Sequence, residues 1–556
     1  METILITCFY VGITAMFASL IMVPVLRRWA LEKGQVDEPD QRKVHTVAIP
    51  RIGGIAIFMS FLFSHLVYVD IDPQVRGVLA GGVVIFFTGL IDDLHGLTPR
   101  RKFFGEIAGV AIAIAISDLY IHQLGDLFGF GNIVLPAWVG IPFTVFALVG
   151  VINAINLIDG LDGLAGGISA IALVVFSVLA YRDGNVSALL ICSSMLGALL
   201  GFLKFNFYPA RIFMGDAGSL TLGFVLAFMA VFITQGESST TSPVVPALVL
   251  GLPILDTLWV MGRRLLLRQS PFSPDKTHLH HKFLSLGLDH RFTVLLIYGI
   301  SLFWATVAMI FSHGHAGLLL ACYLLTTLVR YGILRYILRH PDRFAFLKRD
   351  SSVSWRKSQI FLRIATVVDG LMPVMLITLV SYLGMVAVWG GGGAAHLWQI
   401  TGILFLGMSI LLYVTGDSNN YFFLASLYIV GLVTIFVADS SADQVVLWGM
   451  QVGEITWVAF ILLGCMVFMK VIFRFEGEFF ISTPDMLILG ISIFFGFYSF
   501  HYSQHALVSP VFLKGTIFLL AIKAIGFKKK RRNRIAVYSC LAVLLVITLK
   551  GWLVPL

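Results

Sequence analysis

The chain has 556 residues, 58% of them apolar and only 12% charged, with a net charge of +9 and a mean hydropathy of +0.92. Soluble domains carry about a quarter charged residues, so this composition excludes an ordinary cytosolic enzyme, a disordered chain and a disulfide-stapled secreted module. Many runs reach the roughly 20 apolar residues that a spanning helix needs, and the short alternating strands of a transmembrane barrel are not seen. The expected fold is an all-α polytopic membrane protein.

In chain order, spans are expected near residues 3–26, 52–69, 75–91, 103–118, 138–155, 164–181, 186–203, 218–234, 243–262, 292–311 and 315–334. Seven more are expected near 366–389, 396–414, 421–438, 445–469, 485–500, 507–526 and 535–554, giving about 18 transmembrane helices, 11 in a first half and 7 in a C-terminal extension. The first run has its charges, Arg27 and Arg28, behind it rather than ahead, which reads as a first span with its N-terminus outside and not as a cleaved signal peptide. Alternating the loops then places 35 of the 39 Lys and Arg residues on one side. Arg76, Arg182, Lys514 and Lys550 are the remainder. The positive-inside rule makes the rich side cytoplasmic and explains the basic balance without nucleic acid. The five cysteines all fall in apolar runs and read as packing residues. The run Lys528–Arg532 reads as a topology anchor, with binding of anionic lipid heads as the alternative. Residues 1–345 are expected to form one membrane domain, 346–365 a basic cytoplasmic linker and 366–556 a second, seven-helix domain.

Four loops on the cytoplasmic side collect polar residues that a membrane protein does not carry idly. After the third span comes Asp92-Asp93, whose adjacent carboxylates repel each other and call for a cation or a proton. Lys102 is the expected partner if the short loop folds back, and a solvated helix end is the plainer alternative. After the fifth span, Asn156, Asp159 and Asp162 recur at spacings of three, on one face of any helix they extend. Such oxygen ligands suit Mg²⁺, with a capped turn as the alternative. After the seventh span, Gly215-Asp216-Ala217-Gly218-Ser219 opens a helix whose free N–H groups can meet phosphate, although Asp is also a common N-cap. After the ninth span, His278, His280 and His281 have poor spacing for one zinc ion, and the basic residues around them point to a phosphate and sugar clamp. The first cytoplasmic loop, with Lys43, His45 and Arg51, is also basic and turn-forming. Together the four loops describe a membrane-surface site for phosphoryl chemistry on a nucleotide-like substrate.

Asn153-x-x-Asn156-x-x-Asp159-Gly160-x-Asp162-Gly163, followed by Phe213-Met214-Gly215-Asp216-x-Gly218-Ser219, closely resembles the polyprenyl-phosphate N-acetylhexosamine-1-phosphate transferases, over roughly residues 1–340. The resemblance implies attack of a polyprenyl phosphate, undecaprenyl phosphate in bacteria, on the β-phosphorus of a UDP-sugar, with UMP released and Mg²⁺ (or Mn²⁺) as cofactor. It implies that Asp216 and Asn156 hold the metal. Asp92, Asp93, Asp159 and Lys102 would form the catalytic group. Lys43, His45, Asn153, Asp162, His278, His280 and His281 would contact substrate. His278-Leu279-His280-His281, in place of three consecutive histidines, resembles the branch that uses UDP-N-acetylglucosamine or a related UDP-N-acetylhexosamine. The resemblance also implies a bacterial inner membrane, a cytoplasm-facing site, a role in cell-envelope polysaccharide synthesis and room for a homodimer. The alternative is a transporter or lipid-linked sugar flippase, suggested by the number of spans. Such a protein should place its ionisable groups near the bilayer midplane. In residues 366–556, Asp369 and Glu454 are expected either to form a site or to pair within the bundle.

Overall fold

Backbone groups inside a bilayer find no water, so apolar runs of this length close their hydrogen bonds internally as helices. The computed structural model describes residues 2–37, 48–236, 239–269, 278–312, 316–340, 359–389, 397–415, 430–435, 446–447, 450–472, 485, 487–492, 508–526 and 530–553. Among these residues, nine helices are long and apolar enough to cross a membrane. The chain is an all-α, multi-pass membrane protein that divides into two units, Met1–Arg349 and Asp350–Leu556. The expected linker at 346–365 lies mostly outside the described residues, as do most of the expected spans 421–438 and 485–500.

The first unit contains helices α1 (Glu2–Lys33), α2 (Gly53–Tyr68), α3 (Pro73–His95), α4 (Pro99–Ser117), α5 (Ala137–Ile158), α6 (Leu164–Arg182) and α7 (Val186–Asn206). They are followed by α8 (Gly215–Gln235), α9 (Val244–Val249), α10 (Gly251–Leu266), α11 (Leu279–Ser285), α12 (His290–Ile310) and α13 (Ala316–Arg339). A short antiparallel pair, β1 (Val36–Asp37) with β2 (Ile49–Pro50), lies between α1 and α2.

Helix α8 is apolar on every face, and such a helix belongs in the middle of a bundle. Leu220, Phe224, Val225 and Phe228 are fully buried, and α2, α3, α5 and α6 pack around it. Small residues let the neighbours come close. A Cβ at Gly89 of α3 would stand 2.5 Å from the Asp216 carbonyl oxygen.

The ninth expected span is not one helix. Pro253 has no N–H to give to the preceding turn, so the helix ends at Val249 and restarts at Gly251. The histidine loop likewise contains a helix, α11, where the sequence suggested only a loop.

In the second unit, helices run over Gln359–Gly370, Met372–Trp389, Leu397–Thr415, Val452–Ile472, Val508–Gly526 and Lys530–Leu553. Asp369 pairs with Lys470, and Asp485 with Lys523. All four residues sit at span ends that the loop alternation assigns to one membrane side, so each pair joins ends that belong together. The buried Lys514 donates to Thr456 Oγ1 at 3.3 Å and lies 4.6 Å from the Trp457 ring. Asp369 thus pairs within the bundle, with a lysine partner; the Glu454 side chain lies outside the described residues.

Candidate active site

Four helix ends supply the site: the C-terminal ends of α3 and α5 and the N-terminal ends of α4 and α8. Proline at the first position of α4 and a left-handed Gly96 (φ +69°) turn the chain from α3 back towards the bundle. That turn places Lys102 beside Asp92.

Met214, which precedes α8, has no side chain able to cap the helix. The cap comes instead from α3. Asp93 Oδ1 accepts from the Asp216 N–H and Oδ2 from the Ala217 N–H, each at 2.8 Å. A carboxylate on the positive end of a helix is favourable, and both Asp93 oxygens have a fixed structural partner. Gly215 makes this approach feasible. Its φ is +67°, and a Cβ there would run into the Arg51 carbonyl and the Asp93 carboxylate.

Lys102 is the hub of the cluster. Its Nζ lies 2.5 Å from Asp216 Oδ2 and 3.2 Å from Asp92 Oδ2. The other Asp92 oxygen accepts from the Leu97 N–H at 2.6 Å. With its amide oriented to match every neighbour, Asn156 accepts from Lys102 at 3.1 Å and donates to Asp216 Oδ1 at 3.0 Å and Ser219 Oγ at 2.7 Å. Asp92, Asp216 and Asn156 therefore aim hard oxygens at one cation, and in this structure that cation is an ammonium.

Asp159 closes α5 next to this cluster. Burial pushes its carboxyl up to about 7, and the negative charges of Asp216 and Asp162 add to the effect. At neutral pH Asp159 is therefore part acid and part carboxylate. The next residue, Gly160, lies against the His280 ring, and a Cβ there would collide with it. This contact brings the histidine loop to the aspartates. His280 is buried, and neither ring nitrogen has a hydrogen-bond partner among the described residues. Burial, helped by the nearby His281, lowers its pKa to about 3. His280 is thus a neutral ring, able to take part in hydrogen bonds but not to supply charge.

His278 is held from behind by Asp256 of α10. Asp256 Oδ2 lies 2.8 Å from His278 Nδ1, while Oδ1 accepts from the Leu279 N–H at 3.0 Å and from the Tyr331 hydroxyl at 2.7 Å. Sequence reasoning passed over Asp256. The available signal was a lone acid inside an apolar span. Replacing Asp256 with alanine leaves three buried groups unmatched, each costing about 1–3 kcal/mol. The variant should show a clear fall in the thermal midpoint; an unchanged midpoint would disprove the bracing role.

Two expected substrate contacts have protein partners. The Asn153 amide donates to Glu106 Oε2 at 2.5 Å and to the Val149 carbonyl at 2.9 Å. Glu106, four residues after Lys102 on α4, is a buried acid that sequence reasoning also missed. Asp162 Oδ2 accepts from the Ala210 N–H at 2.8 Å and so orders the loop before α8. That oxygen has a structural partner, as both oxygens of Asp93 do, so Asp162 and Asp93 position backbone. Lys43 and His45 lie outside the described residues.

A model of glycosyl transferase family 4 matches residues 75–234. The chain is 36% identical over 299 residues to the probable undecaprenyl-phosphate N-acetylglucosaminyl 1-phosphate transferase of Bacillus subtilis, covering 54% of this chain and 83% of that one. It is 34% identical over 343 residues to the undecaprenyl-phosphate alpha-N-acetylglucosaminyl 1-phosphate transferase of Yersinia pestis, covering 60% and 92%. It is 36% identical over 368 residues to the decaprenyl-phosphate N-acetylglucosaminephosphotransferase of Mycolicibacterium smegmatis, covering 60% and 89%. Similarity of this extent, with the motif residues gathered at one set of helix ends, establishes that the chain belongs to glycosyl transferase family 4, among the polyprenyl-phosphate N-acetylglucosamine-1-phosphate transferases.

Proposed function

We propose that the first unit transfers N-acetylglucosamine-1-phosphate, or a related N-acetylhexosamine-1-phosphate, from a UDP-sugar to undecaprenyl phosphate and releases UMP. The observation that carries this reading is the convergence of Asp92, Asp216 and Asn156 on Lys102 at the N-terminus of α8. A lipid phosphate oxygen attacks the β-phosphorus. The bond from that phosphorus to the bridging oxygen breaks, and UMP carries that oxygen away. The attacking monoester is already anionic near neutral pH, so positioning and charge neutralisation dominate over proton removal.

The donor set fits Mg²⁺, since hard oxygens from two carboxylates and one amide already enclose a cation, and Mn²⁺ would substitute by the same chemistry. Asp216 and Asn156 would hold the ion. When bound, it would neutralise the diphosphate and polarise its oxygens. Lys102 is placed to carry positive charge to the phosphates, and Asp92 fixes the direction of its ammonium. Asp159 can give a hydrogen bond while protonated. His280, whose ring nitrogens have no hydrogen-bond partner among the described residues, would meet the sugar or diphosphate, with His278 and His281 beside it.

The active face is the cytoplasmic one on the charge distribution, in a bacterial inner membrane, with 18 spans in all. The pathway is cell-envelope polysaccharide synthesis. Residues 366–556 form a separate membrane domain on this reading, and a homodimer is compatible with it.

Purified full-length protein, undecaprenyl phosphate, Mg²⁺ and a panel of UDP-sugars test the proposal by UMP release and lipid-linked product. UDP-N-acetylglucosamine should give both products. EDTA should lower the rate at least about 100-fold, with recovery on adding Mg²⁺. No UMP with any UDP-N-acetylhexosamine would refute the assignment, and full activity in EDTA would refute the metal.

A further inference from the structure

Away from the catalytic cluster, α12 and α13 flank a groove of about 420 Å³. Leu295, Leu296, Ile300 and Phe303 line it from α12, and Thr326 and Arg330 from α13. Trp304 meets Tyr323 edge-on at 4.6 Å and closes the far end. Leu295 to Trp304 spans nine helical steps, about 13 Å. That is near half the roughly 30 Å hydrocarbon thickness of a bilayer, the depth of a single leaflet. Phe303 and Leu296 remain exposed in this span, and an apolar, outward-facing trough here will be filled by something apolar.

One end of the trough is not apolar. Arg330 sits there with its guanidinium 5.6 Å from the Tyr331 ring, and its Nε is buried without a hydrogen-bond partner among the described residues. A buried N–H without an acceptor is costly, and the planar fork of arginine matches phosphate oxygens. Arg330 also lies on the side that collects 35 of the 39 basic residues, where anionic headgroups are attracted.

We propose that the α12–α13 groove binds one anionic phospholipid of the basic-side leaflet, with an acyl chain along Leu295–Phe303 and its phosphodiester on Arg330. The trough is one leaflet deep, which suits an acyl chain and is too short for a long polyprenyl tail. The headgroup then sits one residue from Tyr331, whose hydroxyl holds Asp256 behind the histidine loop.

Full-length protein, delipidated and then exposed to equimolar phosphatidylglycerol and phosphatidylcholine in mixed micelles, is read by native mass spectrometry of retained lipid. Wild type should keep phosphatidylglycerol at least about fivefold over phosphatidylcholine, a difference of about 1 kcal/mol. Arg330→Gln should remove that preference. A Cβ at Gly299 meets nothing within 4 Å, so a side chain can start there, and Gly299→Leu should occupy the trough and reduce retention of both lipids. The Gly299 variant keeps the test valid if Arg330→Gln folds poorly. Equal retention of the two lipids by wild type, or undiminished retention by Gly299→Leu, overturns the proposal. So does displacement of phosphatidylglycerol by equimolar undecaprenyl phosphate, which would make the groove a substrate site. None of these readings depends on turnover.

Discussion

Replacing Asp216 with alanine should cut UMP release by about 10³-fold, the scale seen when one preorganised charge at a reacting centre is lost. Asp216 meets both Lys102 and Asn156 through separate oxygens, at 2.5 and 3.0 Å. Its loss opens the donor set and leaves Lys102 with Asp92 as its remaining carboxylate in the cluster. Asp216→Asn keeps the shape and removes the charge, and should lose nearly as much. His280→Ala provides the contrast. A neutral ring contributes ordinary hydrogen bonds of about 0.5–1.5 kcal/mol, so its loss should cost roughly three- to tenfold in kcat/KM. A steady-state assay of the three variants decides the ranking, and an Asp216→Ala enzyme within tenfold of wild type would show that the cluster is not the reacting centre.

Lys102→Met should be almost as damaging, by a different route. The substitution leaves Asp92 and Asp216 facing each other with no cation between them. Breaking a largely buried pair by removing one partner costs about 3–5 kcal/mol, and one carboxylate will recruit a proton or a divalent ion in response. Two measurements follow. Turnover should fall by about 10²-fold or more. The rise in thermal midpoint on adding Mg²⁺ should be larger in the variant than in wild type, because the ion no longer competes with an ammonium. Normal turnover with an unchanged Mg²⁺ response would remove Lys102 from the mechanism.

The parts of this site legible in the sequence were those whose chemistry is local. Asp92, Asp93, Asn156, Asp159 and Asp216 sit at span ends, where acids stand out against apolar runs, and the Lys102–Asp92 pair follows from a ten-residue loop. What stayed hidden depends on partners far along the chain. Asp256 acquires its role only when His278 and Tyr331, 22 and 75 residues away, close around it. Glu106 acquires its role from Asn153, 47 residues on. The capping task of Asp93 was equally hidden, since nothing in the sequence shows that the uncapped start of α8 lies beside it. The break between α9 and α10 had its signal in Pro246, Gly251 and Pro253, but a hydropathy window averages over such a break. The long apolar helices of the first unit were legible because bilayer thickness sets how many apolar residues in a row a crossing needs.

The capping of α8 by Asp93 also governs how this enzyme can fail. Asp216 rides on the first turn of the most enclosed helix in the bundle, and the two amides at that turn are tied to a neighbouring helix. Local opening generally begins at loops and frayed ends with few buried contacts, and this helix start is neither. Asp216 therefore belongs to the last part of the unit to come apart. Heat should displace Asp216 only as the bundle around it is lost, so that this corner of the site outlasts the loops beside it.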